Sequence, residues 1–224
     1  MLVVGSTKGG VGKTTLTTNL GVMRALSGRS ILLVDSDAQG TLTHWVTQRN
    51  NLAVTPQIDH LQLRGKALHE DLQRLSQHYD DILMDTAGDS VELRAAMVSV
   101  QKMCIPLRAS QFDIWTLESL HDLVLGARKI NSGLRAMVVL NAVPTTSDEA
   151  HEALELLQQF EGFQISQTII HDRVAFREAG TQGRSVLELG KRAAKSIAEI
   201  KDLYRDLYGE AYDEQDGKIA GQAS

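Results

Sequence analysis

Four short stretches of this 224-residue chain hold residues whose types and spacing could do chemistry. Residues 2–15 read LVVGSTKGGVGKTT, so Gly9, Gly10, Val11 and Gly12 run directly into Lys13, Thr14 and Thr15. Glycines let backbone N–H groups converge on one anion, because no Cβ blocks the approach. A helix opening behind them adds unpaired N–H groups and the positive end of its dipole. A lysine there can reach the β/γ-phosphates of a nucleotide, and a threonine hydroxyl can ligate Mg²⁺. The other three stretches are ILLVDSDAQGTLT, with Asp35 and Asp37, ILMDTAGD, with Asp85, and VLNAVPTT, with Asn141 and Pro144.

The first stretch reads as a phosphate-binding loop and the third as its second element, an apolar strand ending in aspartate. Asp85 would hold Mg²⁺ through a bound water, opposite Thr14. A carboxylate can also simply cap a helix, and that reading stays open for Asp35, Asp37 and Asp85. Gly88 would let the backbone move with the state of the γ-phosphate.

The first loop departs from the usual pattern. Thr7 stands where the first glycine belongs, and a second lysine, Lys8, follows it. KGGVGKT in this form resembles the ParA/MinD family of deviant Walker-type ATPases. In that family the extra lysine reaches the ATP phosphates of the partner subunit in a face-to-face dimer, and the resemblance implies this role for Lys8. The Asp35–Gln39 segment is similar to the family's DxDxQ hallmark, which implies that Asp37 orients the attacking water and that Asp35 lies near Mg²⁺ with Asp37. A carboxylate can do this while Lys8, Lys13 and Mg²⁺ absorb developing charge. The resemblance also makes Asn141, with Pro144, a reader of the nucleotide base; a capping or turn asparagine is the competing reading. LRASQFDIWTL matches the family at Phe112 and Asp113 but has Arg108 where proline is frequent. IIHDRVAFREAGTQGRSVLEL resembles the family's C-terminal signature.

The elements that must position these residues alternate. Apolar runs suited to buried strands fall at 2–4, 31–34, 82–84, 103–107, 136–140 and 165–170, with 52–55 as a weaker third-strand candidate before Pro56. Helical periodicity covers 13–26, closed by Gly28, and 41–50, 66–79, 91–100, 114–130, 149–160, 173–179 and 190–208. Such alternation predicts one α/β domain over 1–208, a single-domain P-loop NTPase with a mostly parallel twisted sheet and helices on both faces. Every polar cluster then sits at a strand's carboxyl end, the edge where open sheets bind ligands. Residues 209–224 read as a disordered acidic tail.

Composition narrows the partners. A net charge of −5 means that any nucleic-acid surface is a local patch. Residues 173–205 hold eight Lys/Arg against four Asp/Glu, with Arg173, Arg184, Lys191, Arg192 and Lys195 as candidate DNA contacts. An ordinary solvated charged face is the competing reading. The single cysteine, Cys104, fits a reducing cytoplasm and reads as a small core residue. No apolar run approaches the ~20 residues of a membrane span, and the start does not resemble a secretory signal. The loop lies almost at the start, as in small ParA/ParF-like partition ATPases that carry no DNA-binding domain before it. The resemblance implies an ATP-bound homodimer that holds nucleoid DNA non-specifically, plus a ParB-like centromere-binding adaptor that stimulates slow ATP hydrolysis. Two alternatives share the nucleotide motifs. A MinD-like membrane-cycling ATPase would end in a basic amphipathic helix, and the acidic ending argues against it. A bacterial tyrosine kinase of this superfamily would use a tyrosine-rich tail, and Tyr204, Tyr208 and Tyr212 occur at i, i+4 and i+8.

Overall fold

A computed structural model describes residues 1–65, 67–88, 90–146 and 149–213. Seven parallel strands form one sheet: β1 (Leu2–Val4), β2 (Ile31–Asp35), β3 (Asp59–Gln62), β4 (Asp81–Asp85), β5 (Lys102–Leu107), β6 (Arg135–Val143) and β7 (Gln164–His171). Their order is β3-β2-β4-β1-β5-β6-β7, so β1 is central. The connecting helices are α1 (Lys13–Leu26), α2 (Thr41–Asn51), α3 (Leu68–Leu75), α4 (Val91–Ser99), α5 (Gln111–Ile114), α6 (Thr116–Arg128), α7 (Glu149–Leu157), α8 (Val174–Thr181) and α9 (Ala194–Tyr208). The single-domain α/β expectation holds, and the sheet is wholly parallel.

Alternate β1 residues face opposite layers, as a strand buried on both faces requires. Val3 joins Leu72 of α3, Leu93 and Met97 of α4 and Leu120 of α6. Leu2 and Val4 join Leu16 and Leu20 of α1, Val46 of α2 and Leu203 of α9. Cys104 lies fully inside, and burial pushes its thiol up to about 12, which makes it the core residue expected.

Several sequence expectations shift. The third strand is Asp59–Gln62 rather than 52–55; it is a polar edge strand, so it shows no apolar run. The helix expected over 66–79 spans Leu68–Leu75, and Lys66 lies outside the described residues. The long helix expected over 114–130 spans Thr116–Arg128, and a separate short turn precedes it, Gln111–Ile114, where Ser110 accepts Asp113 N–H at 3.2 Å. The helix expected over 190–208 starts at Ala194: the chain kinks at Gly190 (φ 67°, ψ −153°), and residues up to Ala193 belong to a 3₁₀ segment, Val186–Ala193. Within the tail, Gly209–Asp213 is not detached. Arg24 donates to Glu210 at 2.8 Å, and Ser27 Oγ donates to the Asp213 carbonyl at 3.1 Å. Residues 214–224 and Asp89 lie outside the described residues.

Candidate nucleotide site

The loop between β1 and α1 is shaped by what its glycines leave out. Gly10 and Gly12 have φ of +70° and +86°, the alternation with Val11 from which a backbone anion nest is made. A Cβ on Gly12 would stand 2.2 Å from Asn141 Nδ2, and one on Gly5 would stand 2.5 Å from Leu93 Cδ1. Three side chains hold the loop carbonyls. Lys13 Nζ donates to Lys8 O at 2.8 Å, Arg108 donates to Gly10 O at 2.6 Å, and Asn141 Nδ2 donates to Val11 O at 2.6 Å.

Lys13 is buried, and burial lowers its pKa against the opposing pull of Asp85 and Asp37. Lys8 is half-buried, beside exposed Gly9 and Gly10. Thr14 Oγ1 donates to Asp85 Oδ2 at 2.5 Å. Burial pushes the Asp85 carboxyl up to about 7; Asp35 and Asp37 add to this, while Thr14 and Lys13 oppose it. Thr14 and Asp85 are therefore brought together from α1 and β4, as a shared cation site requires. Among the described residues no group of three or more His, Cys, Asp or Glu side chains could hold a metal ion. A cation here would draw its remaining ligands from water and phosphate, in the usual manner of Mg²⁺. The glycine cradle and the Thr14–Asp85 pair thus fit a Mg²⁺-bound nucleotide.

The aspartates of the second stretch differ in their surroundings. Asp35 is fully buried and its carboxylate is spent: Oδ1 accepts Asp37 N–H at 3.1 Å, and Oδ2 accepts both Thr43 N–H and Thr43 Oγ1–H at 2.8 Å. Gly40, the residue before α2, has no side chain to cap it, so Asp35 satisfies the third N–H from the strand end. These are the contacts that the capping alternative describes. Asp37 is half-buried; its Oδ1 accepts Gln39 N–H at 2.9 Å, and its carbonyl accepts from Arg64 at 2.7 Å. Gly88 packs closely on the loop, since a Cβ there would lie 3.0 Å from Thr7 O.

Asn141 is buried and its amide braces the loop, while Pro144 is exposed at the end of β6. Thr43 and the Arg108–Gly10 contact did not follow from motif matching. The sequence signal for Arg108 was an arginine where the resembling family frequently has proline.

The candidate basic residues largely converge. Arg173, Lys191, Arg192 and Lys195 line one open concavity of about 560 Å³, with Thr145 and Asp172 on its rim; Arg184 does not line it. Arg173 is bound to Glu199 at 2.6 Å and Arg192 to Glu178 at 2.8 Å, leaving Lys191 and Lys195 as the exposed lysines of the groove. Lys191 and Arg192 lie in the 3₁₀ segment before α9 and Lys195 lies in its first turn, so the basic face is not one continuous α-helix. Arg184 lies aside, half-buried, donating to Glu188 O at 3.5 Å.

The tyrosines do not form a free tail. Tyr204 is buried and receives a 2.5 Å hydrogen bond from Arg24; Tyr208 stacks on it at 4.7 Å between ring centroids. Burial raises the Tyr208 phenol well above its ordinary value. No helix among the described residues is long and apolar enough to cross a membrane.

Parallel sheet, glycine nest, Lys13–Thr14 and Asp85 together define a P-loop nucleotide-binding protein. The chain belongs to the CobQ/CobB/MinD/ParA nucleotide binding domain family, whose profile matches residues 2–186. It is 28% identical over 208 residues to the maintenance of carboxysome distribution protein A of Halothiobacillus neapolitanus, covering 92% of this chain and 95% of that one. It is 32% identical to the protein of the same name from Gloeobacter kilaueensis, covering 89% and 90%. Among solved structures, MinD cell division protein of Aquifex aeolicus superposes with a TM-score of 0.72 at 21% identity, covering 96% of this chain and 99% of that one. Family membership makes this a ParA/MinD-type ATPase at the level of class.

Proposed function

We propose that this chain is a ParA-type positioning ATPase that uses an ATP-dependent homodimer on nucleoid DNA to distribute a cargo inside the cytoplasm. The observation that carries the reading is the deviant loop: Lys8 stands beside exposed Gly9 and Gly10, on a cradle already furnished with Lys13, Thr14 and Asp85. Lys13 and the N–H groups of residues 9–15 would hold the triphosphate; Thr14 and Asp85 would hold Mg²⁺. The bound Mg²⁺–ATP supplies the phosphoanhydride and a Lewis acid. Asp37 would orient the attacking water, its carboxylate held by Gln39 N–H. Lys8 would cross to the partner's phosphates. Asp35 would steady the Asp37 backbone beside the metal, through the N–H it accepts.

Two copies of the concavity lined by Lys191 and Lys195 would give a dimer twice the phosphate contacts of a monomer, with a correspondingly steeper salt dependence. An adaptor on the cargo, ParB-like where the cargo is a plasmid or chromosome, would stimulate hydrolysis and reset the switch. Carboxysome distribution, named for two relatives, makes the carboxysome the other cargo class. The buried Tyr204–Tyr208 pair weighs against a tyrosine-kinase tail. Light scattering with a DNA gel shift, run without nucleotide, with ADP and with ATP, tests the reading. A dimer and DNA retention only with ATP are expected; retention independent of nucleotide would overturn the switch.

A further inference from the structure

We infer that Arg108 is a positioning residue for the phosphate loop, orienting it through the Gly10 carbonyl. Arg108 stands one residue beyond β5 and reaches back to Gly10 O at 2.6 Å, across 98 positions of sequence. Its side chain is exposed, and among the described residues it forms no ion pair with a carboxylate.

The consequence follows from peptide geometry. In a planar trans peptide the C=O of one residue and the N–H of the next point in opposite directions. Holding Gly10 O from outside therefore aims Val11 N–H the other way, into the loop. Asn141 does the same one peptide later, fixing Gly12 N–H through Val11 O, and Lys13 does so earlier, fixing Gly9 N–H through Lys8 O. Gly10 and Gly12, both at positive φ, are the residues whose freedom would otherwise let these peptides turn over. A guanidinium donating to a carbonyl is a charge-assisted bond, stronger than a neutral one. Because the arginine is exposed, the bond must oppose side-chain entropy, so it adds little to the stability of the whole fold. Its effect is local: it reduces the number of loop conformations, which improves binding of whatever anion the nest takes.

This inference rests on the reading of the loop as a nucleotide site. Loop positioning predicts equal losses for ADP and ATP, because Val11 N–H belongs to the cradle and does not select the γ-phosphate. The test is titration of the full chain with ADP and with a non-hydrolysable ATP analogue, plus melting of the nucleotide-free protein. Arg108→Ala should weaken both ligands by about tenfold, the size expected for losing one charge-assisted bond. Its melting temperature should stay at the wild-type value, and Arg108→Lys, which keeps one charged donor, should recover part of the affinity for both ligands. Affinities within twofold of wild type would overturn the role. A loss confined to the ATP analogue would also overturn it, placing the guanidinium on the γ-phosphate instead. Wild-type protein that binds neither ligand would sink the nucleotide reading itself, an outcome distinct from either.

Discussion

The side-chain amide of Asn141 donates to the carbonyl of Val11 at 2.6 Å, tying the end of β6 to the phosphate loop. Both groups are buried, so the bond shields a loop carbonyl that has no water to replace it. Asn141→Ala should cost about 1–3 kcal/mol, the range for orphaning a buried acceptor. Gly12→Ala should do worse, because its Cβ would lie 2.2 Å from the same amide at a φ of +86°. Chemical denaturation with and without ADP checks both. Asn141→Ala should fold and bind weakly, whereas Gly12→Ala should not bind.

The Thr14–Asp85 pair yields a test of the metal. Thr14→Val keeps the shape of the side chain and removes the hydroxyl that Asp85 accepts from. Wild-type affinity for ATP should fall at least about tenfold when EDTA replaces Mg²⁺, since the cation bridges protein and phosphates. In Thr14→Val the two conditions should converge. An EDTA effect of full size in the variant would show that the hydroxyl is not part of the site.

Much of this site was legible because its chemistry is local in sequence. Gly9–Thr15 is one continuous stretch, and strand-end aspartates follow apolar runs that periodicity detects. What could not be read is non-local or lacks a pattern. The Asn141–Val11 contact was hidden because nothing in VLNAVPTT tells which loop lies 130 residues away. The Asp35–Thr43 contact was hidden because Thr43 sits on a helix whose own cap position is a glycine. Asp59–Gln62 was missed because an edge strand half in water needs no apolar run. The start of α9 at Ala194 was hidden because buried Ala193 and Ser196 carry the helical spacing back past it.

Gly183 couples α2 to the turn after α8. It has φ +61°, and a Cβ would lie 2.5 Å from Arg49 N and 2.6 Å from Arg49 Cα. Those are backbone atoms that cannot swing aside, and the Gly183 carbonyl also accepts from the fully buried Arg49 at 3.0 Å. Gly183→Ala should destabilise by roughly 2–4 kcal/mol through overpacking and strain. Thermal melting checks this. An unchanged melting temperature would mean that the α2–α8 junction is looser than drawn.

Cys104 should be inert in the native state. Burial pushes its thiol up to about 12, so at pH 7–8 almost none is thiolate, the reactive form. Raising pH to 9 should leave labelling by a thiol reagent near zero until the protein unfolds, then complete it. Rapid labelling of folded protein would contradict the buried position.

The basic concavity gives the sharpest functional prediction. Arg173 and Arg192 are already engaged by Glu199 and Glu178, so Lys191 and Lys195 should carry most of any phosphate contact. Lys191→Glu with Lys195→Glu should abolish DNA retention while leaving the ATP dimer intact in light scattering. Milder Lys→Ala changes should lower the slope of log affinity against log salt by about one per lost contact. Arg184→Ala, outside the groove and half-buried, should leave that slope unchanged. Equal loss from all three positions would mean a diffuse field, not this groove, attracts DNA.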